Sequence, residues 1–168
     1  CSTFQILLGQ LSSKLAQKDL EGAATWAAGM QMGKASEQVV SNLLSRWTSQ
    51  DPQQAAAWAS QIPDAEKRVQ AMKLLTNKWS MRDPVATAGW LNNFPPSPEL
   101  DPVVEEFVDR ISSRDPEGAV GWAASIINQE QKEKALQKAL RAWDRKNPEQ
   151  AKAWRLVNNV PFKKASPR

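Results

Sequence analysis

Asp51-Pro52-Gln53-Gln54-Ala55-Ala56-Ala57-Trp58 reads as the opening of a helix. Asp51 suits the N-cap, where a carboxylate accepts amide bonds that the first turn cannot satisfy. Pro52 suits the first helical position, where its missing N–H and fixed φ carry no penalty. The pattern returns at Asp83-Pro84 to Trp90, Asp115-Pro116 to Trp122 and Asn147-Pro148 to Trp154, and as Asp19 to Trp26 with Leu20 in place of proline. The cap positions 19, 51, 83, 115 and 147 are therefore 32 residues apart with no insertion. Tryptophans 26, 58, 90, 122 and 154 keep that step, and a second column runs 47, 79 and 143, with Ile111 in the missing place. All eight tryptophans fall on the grid. A fixed period of this length marks a helical repeat protein.

Within a unit the apolar spacing is helical. Ala55, Trp58, Ala59 and Ile62 fall at i, i+3, i+4 and i+7, one face of a short first helix ended by Pro63. Asp64 caps a longer second helix with the face Ala71, Met72, Leu75, Trp79. The expected fold is all-α, an α-solenoid of about five 32-residue helix-turn-helix repeats with roughly ten antiparallel helices. Its units are 1–18 (partial), 19–50, 51–82, 83–114, 115–146 and 147–160 (partial), forming one helical-repeat domain with a basic tail at 161–168. Leu7, Leu8, Leu11 and Leu15 match Val39, Val40, Leu43 and Trp47 on the grid, so the sequence opens on a second-type helix. An opening this apolar suggests a truncated or processed amino end.

The grid column Ala23, Ala55, Thr87, Ala119, Ala151 is small, which lets helices approach closely. Both tryptophan columns share stripes with Ala, Leu and Ile and are expected in the core, with one or two indoles edging onto the surface. The pairs Trp47 with Trp58, Trp79 with Trp90 and Trp143 with Trp154 should each meet near one inter-repeat seam.

Asp-Pro-x-x-Ala-x-x-Trp, as in Asp51–Trp58, resembles the turn and first-helix start of tetratricopeptide repeats. It is still more similar to uncharacterised bacterial repeats of the form Trp-x-x-x-Asp-Pro-x-x-Ala-x-x-Trp, as in Trp47–Trp58 and Trp79–Trp90. The tetratricopeptide Leu-Gly pair is absent, and the period is 32 in place of the usual 34. The resemblance implies a right-handed superhelix of helix pairs that holds partners, and it carries over no catalytic residue.

Composition narrows the function classes. One cysteine, Cys1, excludes an internal disulfide framework, and the absence of histidine removes the usual metal ligand and general base. No phosphate loop or nucleophile–base pair is present, so neither an enzyme nor a bound cofactor or metal is expected. No stretch approaches the length of a transmembrane segment. Cys1-Ser2-Thr3 suits the processed end of a bacterial lipoprotein, hence the cell envelope or periplasm; without that processing the expected compartment is the cytoplasm.

Charge is uneven. Residues 129–168 hold 11 Lys and Arg against 4 Asp and Glu, a balance of +7, while residues 1–128 hold 11 against 14, a balance of −3. The expected function is a non-catalytic protein-interaction scaffold, with a protein or peptide partner and self-association as a further option. The alternative is a nucleic-acid-binding repeat using the basic carboxyl part. Against it, the residues preceding the caps, Lys18, Gln50, Arg82, Arg114 and Lys146, make an interrupted basic track.

Unit 83–114 is irregular: it has Ile111 in the tryptophan column, Phe94-Pro95-Pro96-Ser97-Pro98 as its loop, and Pro102 where other units have helix. Its second helix should start near Asp101, about a turn late. Asp101, Glu105 and Asp109 would then share a solvated acidic face beside a notch. The candidate partner-binding residues are Glu105 and Asp109 there, with Lys138, Arg141 and Arg145 on the basic part.

Overall fold

Each grid Asp or Asn caps a helix by the same bond. The side chains of Asp19, Asp51, Asp83, Asp115 and Asn147 accept from the backbone N–H three residues on, at 2.9 to 3.3 Å. Asp64 and Asn128 do the same for the second-type helices, at 2.9 and 3.0 Å. The computed structural model describes residues 3, 6, 7, 9–11, 14, 19–29 and 34–161. Cys1, Leu8, Leu15, Lys18 and the tail at 162–168 lie outside the described residues. Among the described residues every regular element is a helix, so the protein is all-α.

The chain forms two compact units, Cys1–Trp90 and Leu91–Arg168. In the first, short first-type helices α1 (Leu20–Gly29), α3 (Pro52–Ser60) and α5 (Pro84–Leu91, its last residue opening the second unit) alternate with longer α2 (Lys34–Gln50) and α4 (Ala65–Arg82). α1 packs on α2, α3 on α2 and α4, and α2 on α4. The small column does what close packing requires: Ala23, Ala27, Ala55 and Ala59 are buried almost completely. Facing them are Val39, Leu43, Trp47, Met72, Leu75 and Trp79, also buried.

Polar contacts tie residues 51–82 to the preceding 19–50. Trp58 Nε1 donates to Thr25 Oγ1 at 3.0 Å, linking α3 to α1. Lys67 Nζ donates to Ala28 O at 3.1 Å and Arg82 donates to Ser49 O at 2.8 Å. Both cations thus meet carbonyls at helix carboxyl ends, where orphan acceptors and the dipole favour positive charge. The expected indole pairs are present for Trp47 with Trp58, centroids 5.8 Å apart, and for Trp79 with Trp90 at 6.0 Å.

The second unit holds α6 (Asp101–Ile111), α7 (Pro116–Ala124), α8 (Gln129–Lys146) and α9 (Pro148–Asn158). α7 packs on α6 and α8, α9 on α8, and α6 on α8. α8 has 18 residues, as α4 does, whereas α6 has 11. The reason is local: Pro96 stands at the grid position of Asp64 and Asn128, so the usual side-chain cap is lost. The helix starts at Asp101, as expected, with no side-chain cap bond from Leu100. The ring at Phe107, one turn before Ile111, meets Trp122 edge-on at 5.2 Å, so an aromatic partner persists although the tryptophan column is broken.

Two expectations are corrected. Trp47, Trp79 and Trp143 are core residues, but the column that follows the caps is not: Trp58, Trp90, Trp122 and Trp154 are half-buried and Trp26 is 38% exposed. Alanine one turn earlier takes the tight position, and the large ring is pushed to its rim. Asp101 does not belong to a solvated acidic face either. It is 2% exposed, and its two oxygens accept the backbone N–H groups of Ile127 at 2.8 Å and Asn128 at 2.7 Å. It braces the α7–α8 turn, where Asn128 is itself a cap.

Candidate interaction surface on the second-type helices

α8 buries Ala135, Leu136, Ala139, Leu140 and Trp143. That stripe leaves Lys134, Lys138, Arg141 and Arg145, at i, i+4, i+7 and i+11, on a single exposed face. The candidates Lys138, Arg141 and Arg145 are therefore brought together, and Lys134 joins them. The spacing of Lys134 was legible in the sequence once the buried stripe was assigned.

Glu105 and Asp109 lie one turn apart on α6, which packs on α8. Asp109 Oδ1 meets Lys138 Nζ at 2.6 Å. Lys134 pairs with Glu130 at 2.6 Å, and this hydrogen bond first, then the carboxylate's charge, holds its amine above the ordinary range; Glu105 adds a smaller contribution. The Asp109–Lys138 pair thus joins α6 to α8 where the two helices pack. On this face, Asp109 is paired with α8 of its own unit.

Arg141 and Arg145 differ from the other two cations. Arg141 Nε donates to Gln137 O within its own helix at 3.1 Å. Among the described residues neither arginine has a carboxylate within ion-pair distance.

The same grid columns on the other second-type helices carry different chemistry. α2 has Gln38, Asn42, Ser45 and Ser49; α4 has Gln70, Leu74, Asn77 and Met81; α6 has Pro102, Glu106 and Asp109, with Ser113 just past its end. All are at least partly exposed. The buried columns headed by Val39, Leu43 and Trp47, by contrast, hold only Ala, Val, Leu, Ile, Phe or Trp.

The residues preceding the caps are largely committed elsewhere. Arg82 holds Ser49 O, and Lys146 Nζ holds Arg114 O at 2.6 Å, so these cations close helix ends. One substitution was missed in the sequence. Arg155 occupies the grid column of Ala27, Ala59 and Ala123, and Asp144 that of Thr48, Ser80 and Ser112. In the last pair a bidentate ion pair, with both N–O distances 2.6 Å, replaces a hydroxyl beside a small apolar side chain. An arginine in an alanine column was the available signal.

Among the described residues, no group of three or more His, Cys, Asp or Glu is placed to hold a metal ion, and no helix is long and apolar enough to cross a membrane. No protein-family model, curated protein or solved structure matches the chain.

Proposed function

We propose that this chain is a non-catalytic scaffold, an α-solenoid of 32-residue helix pairs that binds a protein partner along the exposed stripe of its second-type helices. The observation that carries this reading is the contrast within one register: the buried columns headed by Val39, Leu43 and Trp47 stay apolar, while the exposed columns pass from neutral amides and hydroxyls to Leu74 and Met81, then to Glu106 and Asp109, then to four cations. Leu74, partly exposed, and Met81, exposed, add an apolar element to that register. Changing chemistry on a constant frame lets the exposed face of each unit select its own ligand chemistry.

A nucleic-acid partner is the weaker reading. Binding of that kind depends on cations free to replace counterions. Here Arg82 and Lys146 close helix ends, and Lys134 and Lys138 already face carboxylates.

The test is site-specific photo-crosslinking. A crosslinker at Gln70, Met81, Asp109 or Arg141 is expected to capture protein from a cell extract, whereas one at Gln54, Glu117 or Glu149, in the first turns of first-type helices, captures little. Equal yields from both sets would remove the stripe as the interaction surface.

A further inference from the structure

We infer that the loop before α6 is a second docking element: a preformed polyproline segment that fits an aromatic-lined groove on a partner protein. It goes beyond the stripe of the second-type helices and shares no residue with it. In the neighbouring repeats the connection from first-type to second-type helix is short, residues 61–64 and 125–128, and ends on the side-chain cap of Asp64 or Asn128. Before α6 it runs over residues 92–100, within the second unit, and carries Phe94-Pro95-Pro96-Ser97-Pro98. The 32-residue step is unchanged, so this loop replaces the opening of a helix instead of lengthening the repeat.

Three prolines set its conformation. Their rings fix φ at 95, 96 and 98, and each residue that precedes a proline, here Phe94, Pro95 and Ser97, is driven from the helical region into the extended one. Pro95, Pro96 and Ser97 accordingly belong to no helix or turn, and Pro95, Pro96 and Pro98 are all exposed. Among the described residues, no donor reaches the carbonyls of Pro95 and Pro96. The ends of the segment are held. Phe94 N–H donates to the O of buried Leu91 at 3.1 Å, and Leu100 N–H donates to Ser97 O at 3.0 Å. Asp101 is then fixed by the amides of Ile127 and Asn128.

What fits the segment follows from that geometry. A polyproline helix has three residues per turn and rises about 3.1 Å per residue, so Pro95 and Pro98 present their rings on one side, about 9 Å apart. Proline has no N–H, so these positions offer apolar rings and bare acceptors. Their complement is a shallow groove floored by aromatic rings, whose Trp or Tyr donors reach the carbonyls. A sheet edge does not fit, because strand pairing needs the donors that proline lacks. The held ends lower the ordering cost that a free peptide bears on docking.

The test titrates purified domains of the SH3, WW and EVH1 types, which carry such grooves, into the isotopically labelled full chain, followed by NMR. At least one is expected to bind, with amide shifts centred on Phe94, Ser97 and Glu99, the amide-bearing neighbours of the prolines. Pro95→Ala with Pro98→Ala should weaken that binding about tenfold or more while the helical circular dichroism is unchanged. Ser97→Ala, which keeps both rings, should leave it within about twofold. Because rings and neutral acceptors carry the contact, affinity should hardly change between low and moderate salt. Binding by none of the three domain types, shifts centred on another surface, or binding that survives the double proline substitution each overturns the proposal. The shift map on the unaltered chain is decisive even where the double variant loses helix. Crosslinking from the second-type helices is indifferent to all of these outcomes, so the stripe and the loop fail separately.

Discussion

Trp47, Trp79 and Trp143 are almost fully buried, while Trp58 and Trp122 keep part of their rings in solvent. Replacing one of the first three by alanine is expected to cost about 3–5 kcal/mol, the usual range for emptying a large aromatic site. Trp58→Ala, which loses a ring contact and the bond to Thr25, should fall within about 0.5–3 kcal/mol. Urea midpoints give the ranking, and an equal loss at Trp47 and Trp58 would contradict the packing described. At the same scale, the Glu130 carboxyl is held below its ordinary value, first by the hydrogen bond from Lys134 and then by that amine's charge. Because the folded carboxyl value is depressed, its stabilising contribution is complete above the unfolded value and disappears as pH falls through the folded one. The Lys134 value is raised, so its contribution is complete below the unfolded value and lost as pH rises through the folded one. The pair is therefore fully formed at neutral pH. In a carboxyl NMR titration the Glu130 midpoint should move up in Lys134→Ala; a midpoint that does not move would refute the assignment.

Elements in the second unit are held by two carboxylates with different work. Asp101 ties the start of α6 to the turn before α8, and its removal leaves the amides of Ile127 and Asn128 without their acceptor. Asp101→Ala is expected to cost about 3 kcal/mol, given that hydrogen bonds to a charged group contribute about 1.5–3 kcal/mol each and water recovers part of the loss. Hydrogen exchange should quicken first at those two amides, and unchanged protection there would argue against the brace. Asp144 with Arg155 joins α8 to α9. Breaking a fully buried pair from one side costs about 3–5 kcal/mol and less where one partner is partly exposed, as Asp144 is, whereas replacing both members is often neutral. Asp144→Ser alone should therefore be strongly destabilising, while Asp144→Ser with Arg155→Ala, which restores the residues of the preceding pair, Ser112 and Ala123, should return most of the loss. Chemical denaturation of the two variants distinguishes this from a purely additive result.

For the whole molecule, each compact unit carries its own buried stripe. Arrays built from neighbouring contacts lose stability locally when one seam is weakened. Trp47→Ala should accordingly accelerate hydrogen exchange across 20–90 more than across 101–158, and Trp143→Ala the reverse. Uniform acceleration in both variants would mean that the 168 residues unfold as a single cooperative body.

Periodicity and caps are local properties, so the sequence by itself determined the all-α class, the helix starts at each Asp-Pro or Asn-Pro, and the late start at Asp101. The near-complete burial of the alanine column followed from side-chain size at a repeated position. Tertiary structure alone decided which tryptophan column is interior, because both columns have helical spacing and only the approach of neighbouring helices selects between them. It also decided the fates of the carboxylates on α6. Asp101, Glu105 and Asp109 share one helical spacing, yet one is buried on two amides, one stands near an amine and one is paired with Lys138. A helix period fixes direction around an axis, not what stands opposite. The elements packed around α6 supply the amides of Ile127 and Asn128 at its start and the cations of α8 along its length.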